Sequence, residues 1–210
     1  MKGNINKLLV IITMSVAIVF STTAFFVDLV IPKSINIENG LSFGKKDSNV
    51  EFVFFEDFKC KYCKKYATEI FPQVKEKYLD TQRIHYTIIP LAFIYGSKIV
   101  ANAAIAIYEL KKDQFFEFIK IVSEKKAKVE TKEQLIEIVS KLDGINMEVF
   151  EEFLENEIFN QYLKNNLANA EKIMPSFEVP SAYINGHKVD IDQIINKIEE
   201  NLNSMEFQYD

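Results

Sequence analysis

The only two cysteines of this 210-residue chain are Cys60 and Cys63, in the lysine-rich stretch FKCKYCKKY. Two thiols at this spacing can exchange disulfides, hold a soft metal ion together or form a permanent bridge. A permanent bridge across so short a loop removes little entropy from the unfolded chain, and zinc needs four ligands in a chain whose only histidines are His85 and His187. Redox chemistry is therefore the favoured interpretation, with a two-thiolate copper site and a structural disulfide as alternatives.

The residues around the cysteines predict different roles for the two thiols. Val50–Phe55 has the composition of a buried strand, and apolar residues recur at helical spacing after Cys63, which places Cys60 at a helix N-terminus. Unpaired N–H groups and the helix dipole favour a thiolate there. We expect Cys60 to be the exposed nucleophile with a lowered pKa, and Cys63 to resolve mixed disulfides.

Charged neighbours of the pair are candidates for tuning the two thiols. Lys59 and Lys61 flank the first cysteine and are expected to lower its pKa further, each by a small amount because the charges are exposed. Glu56 and Asp57 precede the motif. They would either move a proton to or from the second cysteine or serve as exposed loop and capping residues.

The sequence after the motif predicts one more strand and then a helical block. Pro72 is expected to bend the first helix or to start a second one within it. Arg83–Leu91 alternates and is rich in β-branched residues, which predicts a strand. Residues 97–174 carry helical patterns and no convincing strand pattern.

The C-terminal part returns to strands before a last helix. Ser181–Ile184 and His187–Val189 flank Asn185-Gly186, which is a strong hairpin signal. A strand–helix–strand unit requires a parallel pair with a crossover, and a hairpin adds antiparallel strands. The predicted class is therefore α/β with a mixed central sheet.

Composition and the N-terminus limit the possible functions. The formal net charge is −5, from 25 basic and 30 acidic residues that form no long single-sign block, which argues against nucleic-acid binding. Lys2 and Lys7 precede an uncharged run over residues 8–27. Residues 1–30 are predicted to be a signal peptide, cleaved near Ala24, or a retained membrane anchor; both export the rest of the chain. Residues 31–48 are expected to be a linker.

The chain resembles the DsbA-like branch of the thioredoxin superfamily over about residues 49–203. The resemblance rests on FFEDFKCKYC after a buried strand, on EVPSAYING about 120 residues later, and on the helical block between them. It implies a thioredoxin fold with an inserted all-helical domain: first half of the core over 49–96, insertion over 97–174, and second half over 175–210. It also implies that Cys60 and Cys63 are catalytic, and that a cis Pro180 with Val179 binds substrate beside them.

The resemblance further implies an exported protein-disulfide oxidoreductase that donates its Cys60–Cys63 disulfide to reduced or unfolded proteins in the periplasm or an equivalent space. A DsbB-like membrane partner would reoxidise it, and no cofactor is expected. A reductase or isomerase of the same fold, a copper carrier and a substrate-holding chaperone remain alternatives. Two departures stand out: Lys61-Tyr62 separates the cysteines where strongly oxidising members have Pro and His, and Phe54 stands where many relatives carry an acidic residue.

Overall fold

The computed structural model describes residues 11–15, 31–124, 129–174 and 176–206. It divides into two compact units, Met1–Ser34 and Ile35–Asp210, and the cysteine pair belongs to the second. Most of the predicted signal or anchor segment lies outside the described residues. Among the helices that are described, none is long and apolar enough to cross a membrane.

The described part of the second unit contains one mixed sheet. Its strands are β1 (Leu41–Gly44), β2 (Glu51–Glu56), β3 (His85–Pro90), β4 (Ser181–Ile184) and β5 (His187–Val189), in the spatial order β1-β3-β2-β4-β5. Strands β2 and β3 are parallel, and the other three neighbouring pairs are antiparallel. The predicted mixed α/β sheet is confirmed.

Helices cover the sheet and fill the segment between β3 and β4. They are α1 (Lys61–Glu69), α2 (Phe71–Val74), α3 (Ser97–Leu110), α4 (Phe115–Ser123), α5 (Lys132–Val139), α6 (Met147–Glu155), α7 (Asn160–Ile173) and α8 (Ile194–Glu206). A π-helical turn, Lys75–Leu79, follows α2, and 3-10 turns, Lys112–Gln114 and Ile191–Gln193, precede α4 and α8. The described residues between β3 and β4 thus form helices and loops, as predicted.

The strand that leads to the cysteines lies at the centre of the sheet, between β3 and β4. Its side chains alternate between two separate apolar clusters because successive strand residues point to opposite faces. Phe52 and Phe54 belong to the larger cluster, whereas Val53 and Phe55 pack in the smaller one with Tyr183. Burial on both faces anchors the end of β2, and so it fixes the position of the turn that carries Cys60.

The prediction of a linker over residues 31–48 is wrong for β1. Leu41 and Phe43 are buried, and the strand pairs antiparallel with β3 at the sheet edge. The Phe43 ring packs against Phe115 and Phe116 of α4, with centroids 5.1 and 4.3 Å away. Only four residues alternate here, between glycines that resemble loop sequence, so the pattern was too short to predict a strand.

Two local predictions are confirmed by backbone geometry. Helix α1 ends at Glu69, and α2 begins again at Phe71 with proline in its first turn, which is the bend expected at Pro72. The hairpin between β4 and β5 turns at Asn185 and Gly186, whose φ angles of 49° and 79° both lie in the left-handed region that this turn requires.

Candidate active site

The cysteine pair lies where the central strand passes into the first helix. Four residues after the end of β2, Cys60 is the N-cap of α1, and its N–H donates to the Asp57 carbonyl at 2.8 Å. Cys63 lies in the first turn of the same helix. Both are free thiols, with 8% and 1% of their surfaces exposed. The prediction that Cys60 is exposed is therefore wrong, because the turn before α1 and the loop at Val179 cover most of its surface, although it lies nearer to the surface than Cys63.

The pKa of Cys60 is lowered to about 6. The largest cause is a hydrogen bond from the Cys63 thiol, and the backbone N–H groups of Cys63 and Tyr62 add to it, while burial and the Asp57 charge act in the opposite direction. These N–H groups are the unpaired donors of a helix N-terminus, as expected from the sequence. Lys59 and Lys61 are not among the causes, so their effect on this thiol stays a prediction.

Cys63 has the opposite electrostatic environment. Burial, followed by the hydrogen bond that it donates to Cys60 and by the charge of Glu56, raises its pKa well above the ordinary thiol value. The two sulfurs are therefore unequal at neutral pH, because one holds its proton and uses it to stabilise the other as a thiolate. This arrangement favours Cys60 over Cys63 as a nucleophile, because only the thiolate form of a cysteine attacks.

The loop before β4 reaches the first sulfur. The Val179–Pro180 peptide bond is cis, as the resemblance implied, and the Cys60 thiol donates to the Val179 carbonyl oxygen at 3.4 Å. Pro180 directly precedes β4. The structure thus brings together residues that lie 119 positions apart in the chain.

Glu56, the last residue of β2, is 4% exposed. Burial, the Asp57 charge and Cys60 together raise its pKa to about 8. Its side chain lines a small cavity with Tyr66 and Tyr86. Because its charge acts on Cys63, Glu56 is close enough to influence the proton on that sulfur. The alternative of an exposed loop residue is wrong for Glu56.

Asp57 is also buried, and its carboxylate is surrounded by donors. One oxygen accepts from the Lys59 N–H at 2.9 Å. The other accepts from the N–H groups of Phe93 and Ile94, at 3.1 and 3.0 Å, and from the Ser97 hydroxyl at 2.8 Å. Asp57 therefore ties the turn before Cys60 to the loop before α3, and the interpretation of this residue as an exposed loop residue is wrong.

The tyrosine between the two cysteines opens onto a groove that sequence reasoning missed. Tyr62 is 65% exposed and lines a groove of about 370 Å³ with, among others, Ile70, Pro180 and Ile191. Ile70 follows α1, and Ile191 lies in the 3-10 turn before α8. Both are apolar residues that fit the helical patterns of the sequence, so their pattern did not distinguish them from core residues. The groove offers an apolar surface next to the reactive thiol.

Comparisons with known proteins agree with this geometry. Residues 36–204 match the family described as Thioredoxin. The chain is 32% identical over 169 residues, 77% of each protein, to a "Probable disulfide bond formation protein D" of Bacillus anthracis. It superposes on the crystal structure of oxidised BdbD from Bacillus subtilis with a TM-score of 0.71 and 25% identity, covering 82% of this chain and 98% of that one.

A Chlamydia trachomatis DsbA structure gives a TM-score of 0.70 at 23% identity, over 85% of this chain and 96% of that one, and so supports the fold. These matches are consistent with three features of the structure. The cysteine pair lies at the start of α1, a cis proline lies beside it, and a helical segment is inserted in the sequence between β3 and β4. The chain belongs to the thioredoxin family, as a disulfide oxidoreductase with a helical insertion.

Proposed function

We propose that this chain is an exported disulfide oxidase that uses Cys60 and Cys63. A substrate thiolate attacks the Cys60 sulfur of the Cys60–Cys63 disulfide, and Cys63 leaves and takes up a proton. A second substrate thiolate then attacks the mixed disulfide and releases Cys60. The substrate loses two electrons and two protons to form its disulfide. The protein gains the two electrons as the Cys60 thiolate and the Cys63 thiol, Cys63 takes up one proton, and the protons that the protein does not hold pass to solvent.

The observation that carries this direction is the environment of the Cys60 sulfur. Its pKa of about 6 means that three donors stabilise the reduced thiolate form. A stabilised thiolate is a better leaving group, and it makes the disulfide a stronger oxidant. The value lies between the ~7 of thioredoxin, a reductant, and the ~3.5 of DsbA, a strong oxidant.

Glu56 is proposed to handle the proton of Cys63. At neutral pH the carboxyl is mostly protonated, because burial raises its pKa to about 8. When Cys63 leaves as a thiolate in a buried position, it needs a proton at once. Glu56 supplies that proton and recovers it when the dithiol is oxidised again.

Val179 and Pro180 are proposed to bind the substrate. The Val179 carbonyl oxygen lies 3.4 Å from the Cys60 sulfur, so a substrate chain that reaches this sulfur would lie beside the backbone of Val179. The groove with Tyr62 and Ile191 adds apolar contacts. Backbone pairing of this kind reads no particular sequence and suits unfolded chains.

The cellular setting is proposed from the N-terminal sequence and the relatives. Residues 1–30 export the domain as a cleaved signal or as an anchor, and residues 97–174 form a helical insertion within the core. A membrane protein that accepts electrons reoxidises the dithiol after each cycle. The relatives' names support disulfide formation as the overall task.

The reduction potential of the full-length protein tests this proposal. Equilibration with glutathione buffers should give a value between the ~−270 mV of thioredoxin and the ~−120 mV of DsbA, on the oxidising side of ~−230 mV. A potential at or below that of thioredoxin would assign the protein as a reductase instead.

A further inference from the structure

A second groove lies beside the cysteine pair, on another side of α1. It has a volume of about 420 Å³ and is lined by the residues Lys59, Lys61, Lys64, Lys65, Thr68, Glu69, Ser123 and Glu124. Four of these eight side chains are lysines, and they bracket the Cys60–Cys63 motif. We call this surface the lysine groove.

Three of the four lysines are not neutralised. In the part of the chain that the structure describes, Lys59, Lys61 and Lys64 have no carboxylate within ion-pair distance, and Lys65 has only Glu69 at 3.7 Å, with both side chains exposed. Lysines elsewhere have closer partners, such as Lys75 with Asp80 at 2.7 Å. The lysine groove therefore keeps an excess of positive charge, because its four lysines face only two carboxylates, Glu69 and Glu124.

The lysines also act on one another. Burial, and then the charge of Lys59, lower the pKa of Lys64. Like charges held at one surface repel, so an anion between them would be attracted by several cations at once. The contrast with the whole chain is large, because its formal net charge is −5. A basic groove on an acidic protein, lined by both residues that flank Cys60, has the charge of a recognition surface.

We propose that the lysine groove binds an acidic segment of the polypeptide whose cysteines react with Cys60. This inference rests on the proposed function and adds a substrate class to it. The two grooves meet at Lys65, which lines both. A preferred substrate would thus place carboxylates on one side of its cysteine and apolar residues on the other.

A polypeptide fits this surface better than a lipid headgroup layer does. The groove is concave, and its members Lys59 and Lys64 are half-buried, whereas a bilayer surface is flat and meets side chains that project outward. A segment held in the groove would also be held next to the sulfur. The positive potential there would steer acidic substrates and favour the thiolate form of their cysteines.

The test measures the rate at which the oxidised full-length protein forms a disulfide in three matched dithiol peptides. In these peptides a run of Glu, Gln or Lys flanks the first cysteine. We expect the Glu peptide to react about tenfold faster than the Gln peptide at low salt, and the Lys peptide to be slowest. The Glu advantage should fall below about twofold at ~1 M salt, where the Debye length is only about 3 Å.

Two double variants test whether the preference for the Glu peptide comes from the lysine groove. Lys64→Gln with Lys65→Gln should reduce the ratio of the Glu to the Gln rate to below about threefold, because two of the groove's four lysines are gone and the other two are offset by Glu69 and Glu124. Lys141→Gln with Lys197→Gln removes the same total charge from a turn after α5 and from α8, which do not line the groove, and should leave the ratio unchanged. Equal loss of the ratio in both pairs would overturn the proposal, because it would show a net-charge effect.

Other results separate this inference from the proposed function. Oxidation of all three peptides at equal rates would overturn the lysine groove and leave the oxidase intact, whereas failure to oxidise any peptide would overturn the oxidase. Flotation with vesicles that contain an anionic lipid tests whether the groove binds a membrane surface instead of a peptide. Binding that the Lys64→Gln, Lys65→Gln variant loses, together with equal peptide rates, would assign the groove to a membrane surface and overturn the proposal.

Discussion

The Cys60 sulfur accepts hydrogen bonds from the Cys63 thiol and from two backbone N–H groups at the start of α1. The thiol bond is the largest of these causes, so the low pKa of Cys60 in the reduced protein depends on a side chain that also takes part in the proposed disulfide exchange.

Cys63→Ala removes the thiol donor and should raise the pKa of Cys60 from about 6 toward the ordinary value near 9.0. Cys63→Ser is the matched control, because its hydroxyl can still donate, and the pKa should stay well below that of the alanine variant. The pH dependence of the alkylation rate measures both. Equal pKa values in the two variants would show that the helix terminus alone sets the reactivity.

The raised pKa of Glu56 should make the free energy of unfolding of the reduced protein depend on pH. Its pKa is raised from 4.5 to about 8 on folding, so the folded state binds the proton more tightly. The contribution of the protonated Glu56 to the free energy of unfolding is fully present below pH 4.5. It is lost as the pH rises toward 8, by up to about 5 kcal/mol. Urea denaturation across this range should show the loss in the wild type and not in Glu56→Gln. Glu51→Gln, at the other end of β2, controls for the loss of a carboxylate.

At the scale of elements, Asp57 joins the turn before α1 to the loop before α3. One of its oxygens accepts three hydrogen bonds from that loop and from Ser97. In Asp57→Asn, an NH2 group replaces one carboxylate oxygen. Because this group donates hydrogen bonds and cannot accept them, at least one buried donor loses its acceptor. We expect a loss of about 2–4 kcal/mol in the free energy of unfolding.

Asp80→Asn is the control for this prediction. Asp80 forms an exposed ion pair with Lys75, and such pairs contribute only about 0–1 kcal/mol. If both variants cost the same, the buried carboxylate of Asp57 does not hold the loop. Urea denaturation of the two variants at one pH gives the comparison.

Some elements were predictable because their signal is local. The hairpin needs only Asn185-Gly186 between alternating residues, and β2 needs only a short run of buried aromatic and β-branched side chains. Strand β1 was missed because it has four residues, and its pairing with β3 is a long-range contact. The role of Asp57 was missed for a similar reason, since its donors lie 36 to 40 residues further along the chain.

At the scale of the whole molecule, the candidate site was predictable where residue type and spacing alone carry the chemistry. The cysteine pair and its helix follow from one short stretch, and Val179 and Pro180 follow from the resemblance. The two grooves did not follow, because each combines side chains from separate elements. Lys59 and Lys61 were expected to act on Cys60, whereas the groove that they line suggests a role toward a partner.

Export is the prediction that concerns the whole chain. Fusion of residues 1–48 to a reporter that is active only outside the cytoplasm should give a signal, because an apolar run behind Lys2 and Lys7 directs export. Ile18→Lys places a charge in the middle of that run, at a cost of about 2.5–3.5 kcal/mol for insertion, and should reduce the signal. A silent wild-type fusion contradicts the assignment.

The contact between Cys60 and Val179 has a consequence for biosynthesis. A chain that emerges from the ribosome N-terminus first presents both thiols well before the last strands of its sheet exist, because 119 residues separate the two partners. Until β4 joins β2, the strand before Cys60 lacks one of its two neighbours. A prematurely terminated or proteolysed product would therefore carry reactive thiols without the backbone that normally faces them, and it would be prone to indiscriminate cross-linking with other nascent chains.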